Sequence, residues 1–160
     1  MSAEERQRSQ IVQAFATNPS KAVLVYRPAW QGAVAAKQPY SLANLSIAGA
    51  LMSADPENYR SYYGYVMGAV NLQDEDVASA AMDALAHARG NESIDVLVRH
   101  SSDDRDYVAS SSMTALSFRM ATSKFDPGLS EDFKYLESKL PALCRNHFSE
   151  SLKHYCEQPD

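Results

Sequence analysis

Val77-Ala78-Ser79-Ala80-Ala81-Met82-Asp83-Ala84-Leu85 returns 31 residues later as Val108-Ala109-Ser110-Ser111-Ser112-Met113-Thr114-Ala115-Leu116, with six of nine positions identical. Acids precede both copies: Asp74-Glu75-Asp76 the first, Asp103-Asp104-Arg105-Asp106 the second. Within each copy the apolar residues recur three and four apart, which is the period of a helix with one buried face. The acids fall where the positive end of the helix dipole favours them. Between the copies lie the turn Arg89-Gly90-Asn91-Glu92 and a short apolar run, Ile94, Leu97 and Val98. Each period therefore holds two helices, and a recurring hairpin of this length predicts stacked units. Ala80, Ala81, Ala84, Ser111, Ser112 and Ala115 are small enough to let neighbouring helices approach closely.

Working outward, Ala3 to Thr17 reads as a helix with Ile11, Val12, Phe15 and Ala16 on one stripe, stopped by Asn18-Pro19-Ser20. Lys21 to Tyr26, between Pro19 and Pro28, fits a short strand or a two-turn helix; helix is preferred because no partner strand is visible. Ala29 to Lys37 is a further helix. Ser41 caps a helix through Leu42, Leu45, Ile47, Ala48 and Leu51, which Asp55-Pro56 breaks, and another follows from Glu57 to Asn71. After Asp126-Pro127-Gly128, a turn, Ser130-Glu131-Asp132 opens a run whose apolar positions continue from Phe133 to Tyr155. Pro141 lies inside it and predicts a kink or break near Leu140.

Residues 74 to 116 resemble the short HEAT-like repeat of bilin-lyase-type and related scaffold proteins. The shared features are acids before a Val, small residues inside the first helix, Ala-Leu near its end, a Gly turn and spaced aliphatics in the second helix. The resemblance covers about a quarter of the chain. It implies an all-α fold of about seven to nine helices, stacked into a short right-handed solenoid or a compact bundle. It also implies one domain over residues 1–160, with N-terminal helices at 1–40, hairpins at 41–125 and capping helices at 130–156. Ala78 and Ala109 stand where such repeats usually carry an Arg that pairs with neighbouring acids. The resemblance further implies, as an alternative function, a scaffold or subunit of a bilin-lyase-type enzyme, or a general adaptor.

The chain has 160 residues and a formal charge of -5. Residues 74–106 alone carry nine acids against three basic side chains, so the repeat region holds the whole imbalance. Duplex nucleic acid would be repelled, and DNA-binding HEAT-like scaffolds need a basic groove that is missing here. No run approaches the roughly 18 apolar residues that span a bilayer, and the charged N-terminus is unlike a signal peptide. A cytoplasmic protein is expected. Cys144 and Cys156 are twelve residues apart. On one continuous helix that is about 18 Å, beyond disulfide reach, so free thiols are expected.

Two stretches are candidates for binding. The first is Asp74, Glu75, Asp76, Asp103, Asp104 and Asp106, which stacking would bring to one edge. Helix capping accounts for some of them. Six acids exceed what two caps need, and the surplus would steer a protein with a basic surface. The second is Tyr59-Arg60-Ser61-Tyr62-Tyr63-Gly64-Tyr65-Val66-Met67-Gly68, apolar over most of its circumference. Tyr59, Tyr62 and Tyr63 either fill a central helix or face a partner. Cys144, His147 and His154 are too widely spaced for one metal, and Ser110-Ser111-Ser112 lacks the glycines of a nucleophile elbow. No catalytic residue, metal or cofactor is expected. The reading is a non-enzymatic protein-binding module, of the kind an immunity protein or antitoxin uses against a basic toxin, with no nucleic acid or membrane as partner.

Overall fold

The computed structural model describes residues 1–157 and is all-helical over them. Nine α-helices follow in order: α1 Ala3–Thr17, α2 Pro19–Ala35, α3 Leu42–Ala54, α4 Tyr59–Met67, α5 Glu75–Ala84, α6 Asn91–His100, α7 Asp106–Phe125, α8 Ser130–Leu143 and α9 Lys153–Cys156. Short 3-10 turns precede α4, α8 and α9, and another extends α5 through His87. Polar caps start several of these helices. Ser2 and Glu5 form a reciprocal capping box on α1, and Asn18, Ser41 and Asp74 accept from backbone N–H groups at the starts of α2, α3 and α5. Each such cap satisfies a donor the helix itself cannot.

Four helices form a row: α1 packs on α3, α3 on α5, and α5 on α7. Behind the row, α2 and α4 pack on α3, while α6 and α8 pack on α7 and on each other. Leu45, Leu51, Met82, Leu85, Leu97 and Leu116 are fully buried between these layers. Close approach within the row depends on Gly49. A Cβ there would lie 2.9 Å from the Ala84 Cα, so any larger residue would push α3 and α5 apart. The repeated segments sit side by side on α5 and α7, where the Ser79 and Ser111 hydroxyls meet at 2.6 Å.

Three expectations require correction. Residues 19–35 are one helix, which runs straight through Pro28. Pro28 leaves the Leu24 carbonyl without a donor, but both residues are exposed and water can serve it. For the same reason α8 passes Pro141, whose orphaned acceptor on Glu137 is also exposed, and ends only at Leu143.

The apolar periodicity from Phe133 to Tyr155 does not mark one helix. The chain turns at residues 144–148, where Asn146 donates to the Ser101 carbonyl and accepts from the Phe148 N–H. That turn folds the C-terminal segment back, bringing the Cα atoms of Cys144 and Cys156 to 5.6 Å. The two are joined as a disulfide and are not free thiols. Leu152, fully buried, anchors the returning segment among the core residues.

Candidate functional site

The two acidic segments do come together. The Arg105 guanidinium donates to the carbonyls of Leu72 and Gln73, at 2.9 and 3.2 Å. The Tyr107 N–H reaches Glu75 at 3.3 Å. These contacts bind the loop before α7 to the loop before α5, so their acids share one edge of the molecule. The acids differ in what they do there.

Asp103 is neutralised by a neighbouring arginine and is not among the surplus acids. Arg105 grips both of its oxygens, at 2.9 and 3.0 Å, and His100 approaches at 3.2 Å. The hydrogen bonds from Arg105 hold the Asp103 carboxyl well below the usual carboxylate range, against the opposing effect of burial. Asp74 is the cap of α5 and Glu75 serves the Tyr107 N–H. Asp76, Asp104 and Asp106 are exposed and take no side-chain partner among the described residues. A signal for the Arg105 pairing was present in Asp103-Asp104-Arg105, since a residue two places on in a turn can fold back onto a carboxylate.

Of the candidate tyrosines Tyr62 is buried, while Tyr59 and Tyr63 are half-buried. Tyr62 is 1% exposed and donates to Asp55 at 2.5 Å, so it has no surface to offer. Burial alone would raise the Asp55 carboxyl, yet hydrogen bonds from Tyr62 and Asn58 and the charge of Arg27 hold it low. Tyr63 donates to Glu92 at 2.6 Å, and Tyr59 accepts from the Arg89 N–H at 2.8 Å while its ring stacks on Tyr63. Trp30, on α2, lies against Tyr62 and Tyr65 edge-on. The Trp30, Tyr62 and Tyr65 rings join α2 to α4. His147 and His154 are exposed, away from any apolar stripe.

A buried ionic cluster escaped the sequence reading. Arg119, 3% exposed, donates to Ser93 at 2.6 Å, to the Gly90 carbonyl at 3.3 Å and to Asp132 at 3.1 Å. Asp132 also accepts from the Gly90 N–H at 3.0 Å. The cluster locks the start of α6 to α7 and α8. Its signal was Arg119 itself, seven residues after Ser112 and three after Leu116, hence on the buried stripe of α7.

Two cavities open on the face of the row formed by α1, α3 and α5. At one end the first turns of these helices, with Tyr107 of α7, enclose about 400 Å³ lined by Glu4, Glu5, Asp76 and Ser79. At the other, their later turns enclose about 360 Å³ lined by Val12, Phe15, Ala16, Gly49, Ala50, Ala80, Ala84 and His87. The three helices therefore run in the same direction across this face. Arg8 borders both cavities, and its ion pair with Asp83 bridges α1 to α5 where they adjoin. In the second cavity α3 and α5 present mainly Gly, Ala and Ser.

Ser53 and His87 close the apolar end, with the Ser53 hydroxyl 3.1 Å from His87 Nδ1. Burial pushes the His87 imidazole below its ordinary value, which keeps it neutral at neutral pH. A Ser–His pair needs oriented donors to stabilise an oxyanion. Ser53 lies in the last turn of α3, where the neighbouring N–H groups are spent inside the helix. The pair is suited to hydrogen bonding and not to acyl transfer. Among the described residues no three His, Cys, Asp or Glu side chains are grouped to hold a metal ion, and no helix is long and apolar enough to cross a membrane. Comparison of the chain with protein-family models, with characterised proteins and with solved structures finds no match.

Proposed function

We propose that this chain is a non-enzymatic protein-binding module that recognises a basic surface on another protein, in the manner of an immunity protein or antitoxin neutralising a basic toxin. One observation carries the reading. The first turns of α1, α5 and α7 converge, and their exposed Glu4, Asp76 and Asp106 take no cationic partner among the described residues. Most other acids of the region are engaged: Asp83 with Arg8, Asp103 with Arg105, Glu92 with Tyr63 and Asp95 with Tyr135. Unpaired carboxylates crowded at one edge raise a local negative field, which speeds and selects encounter with a positive partner.

The hairpins are read as HEAT-like units. The row of α1, α3, α5 and α7, and the side-by-side packing of the two repeated segments on α5 and α7, support that reading. The cystine favours an oxidising compartment over the reducing cytoplasm expected from the sequence.

Affinity capture from the native source, followed by mass spectrometry, tests the function. The expected result is a stoichiometric protein of net positive charge whose retention falls with added salt. The variant E4K/D76K/D104K/D106K should lose it while keeping the wild-type circular dichroism. Unchanged capture by that folded variant overturns the reading, as does recovery of nucleic acid as the sole stoichiometric companion.

A further inference from the structure

We infer that the second of the two cavities, between α1, α3 and α5, is a binding site for a neutral small molecule with an apolar body and one hydroxyl group. Its lining includes none of the acids proposed to meet a protein partner, so the two readings stand or fall separately.

Volume and lining set the body of the ligand. The cavity encloses about 360 Å³, near the lower end of the range for small-molecule sites. Val12, Phe15 and Ala16 of α1 form its walls with Gly49, Ala50 and Ala84 of α3 and α5. Val12 is 59% exposed and Ala16 is exposed as well, so apolar surface beside the cavity stays in contact with water until something covers it. A compact body of one or two rings suits this volume.

Two polar pairs set its chemistry. Arg8 and Asp83 neutralise each other, so a charged ligand would have to break that pair or lie buried without a counter-ion. A fatty acid or an amine is disfavoured for this reason. Ser53 and His87 are bonded to each other at 3.1 Å, and neither side chain has another hydrogen-bond partner among the described residues. Because burial keeps His87 neutral, two arrangements are open to the pair. Either Ser53 donates to Nδ1 and its oxygen can still accept, or it accepts from Nδ1–H and can still donate. A ligand hydroxyl, which does both, satisfies Ser53 in each case; a carbonyl or an ether serves only the second. Ser53 is exposed, so its hydroxyl can be reached.

The test uses the intact protein at neutral pH with 1-naphthol as probe. Naphthalene, which lacks the hydroxyl, and 1-naphthoate, which carries a charge, are the comparisons. Equilibrium dialysis should show saturable binding of 1-naphthol, with naphthalene about tenfold weaker, about 1.4 kcal/mol, and 1-naphthoate weaker than 1-naphthol. S53A should remove the advantage of 1-naphthol over naphthalene and leave naphthalene unchanged, which a general loss of structure would not do. A16W and V12W, both at exposed positions beside the cavity, should fill it and weaken both neutral probes about tenfold or more. Thermal melts confirm that the variants fold. Amide shifts should move with 1-naphthol at Gly49, Ala50 and Ala84 and stay in place along α8. Absence of saturable binding, equal binding of the two neutral probes, tighter binding of 1-naphthoate, or undiminished binding by the folded tryptophan variants overturns the inference. Partner capture by the acidic edge, tested by E4K/D76K/D104K/D106K, is untouched by any of these results.

Discussion

Arg119 shows most clearly how one residue carries structure here. Burial disfavours its charged form, and the charge of Asp132 offsets that. Replacing it with Ala should cost about 3–5 kcal/mol in urea unfolding, because a largely buried Asp132 would lose its cation. The double variant R119A/D132A should lose less than the sum of the single losses, since the two act as one unit. His87 gives the pH counterpart. Its folded value is depressed below its ordinary 6.5 by burial. The native state thus binds fewer protons there than the unfolded chain, and its contribution is fully present above 6.5 and lost as pH falls through the folded value. Wild-type protein should lose stability relative to His87→Phe on acidification through that window, followed by melts at a series of pH values. A parallel decline in both proteins would mean that His87 does not carry the effect. Neither residue stood out in the sequence. An Arg on an apolar stripe and a His after an Ala-rich helix become informative only when their neighbours from distant segments are known.

At the level of elements, periodicity located helices well and their ends less well. The bounds of α1, and the capped starts of α3 and α5, could be read from Ser2, Ser41 and Asp74 because a cap is a local hydrogen bond. The two prolines inside helices were misleading, since their cost depends on whether the orphaned carbonyl faces water, and sequence does not say which side that is. The break at Cys144 was hidden for the opposite reason. Apolar spacing continued across it, while the Asn146 turn and a contact with Ser101, forty-five residues away, set the actual path. The disulfide then closes a short loop, for which chain entropy predicts a contribution of about 3 kcal/mol. Replacing both cysteines with Ser should lower stability by up to that amount. Amide exchange should quicken over residues 149–156 while α3, α5 and α7 keep their protection. Thiol titration of the unreduced, denatured protein should find essentially no free sulfhydryl; two per chain would refute the crosslink.

Across the whole molecule, the nine-residue repeat was enough to place α5 beside α7, because both copies present small residues that allow close approach. It could not show that α1 joins the same row, since α1 shares no motif with them, and so the acidic cavity, which needs Glu4, was out of reach. The charge distribution has a consequence for the free protein. Of nine acids against three basic side chains in residues 74–106, those at the starts of α5 and α7 that lack a cation, Asp76 among them, lie with Glu4 at one edge, where they repel one another. Helix dipoles from the same first turns relieve only part of this, at about 0.3–1 kcal/mol each. Raising ionic strength from about 0.01 to 0.15 M shortens the screening length from about 30 to 8 Å, so charges across the edge no longer interact strongly. The thermal midpoint of the unbound protein should therefore rise with sodium chloride. The variant E4Q/D76N/D106N should start higher at low salt and respond less. If its midpoint were lower at low salt, capping would outweigh repulsion, and these carboxylates would be explained by helix stability without a partner.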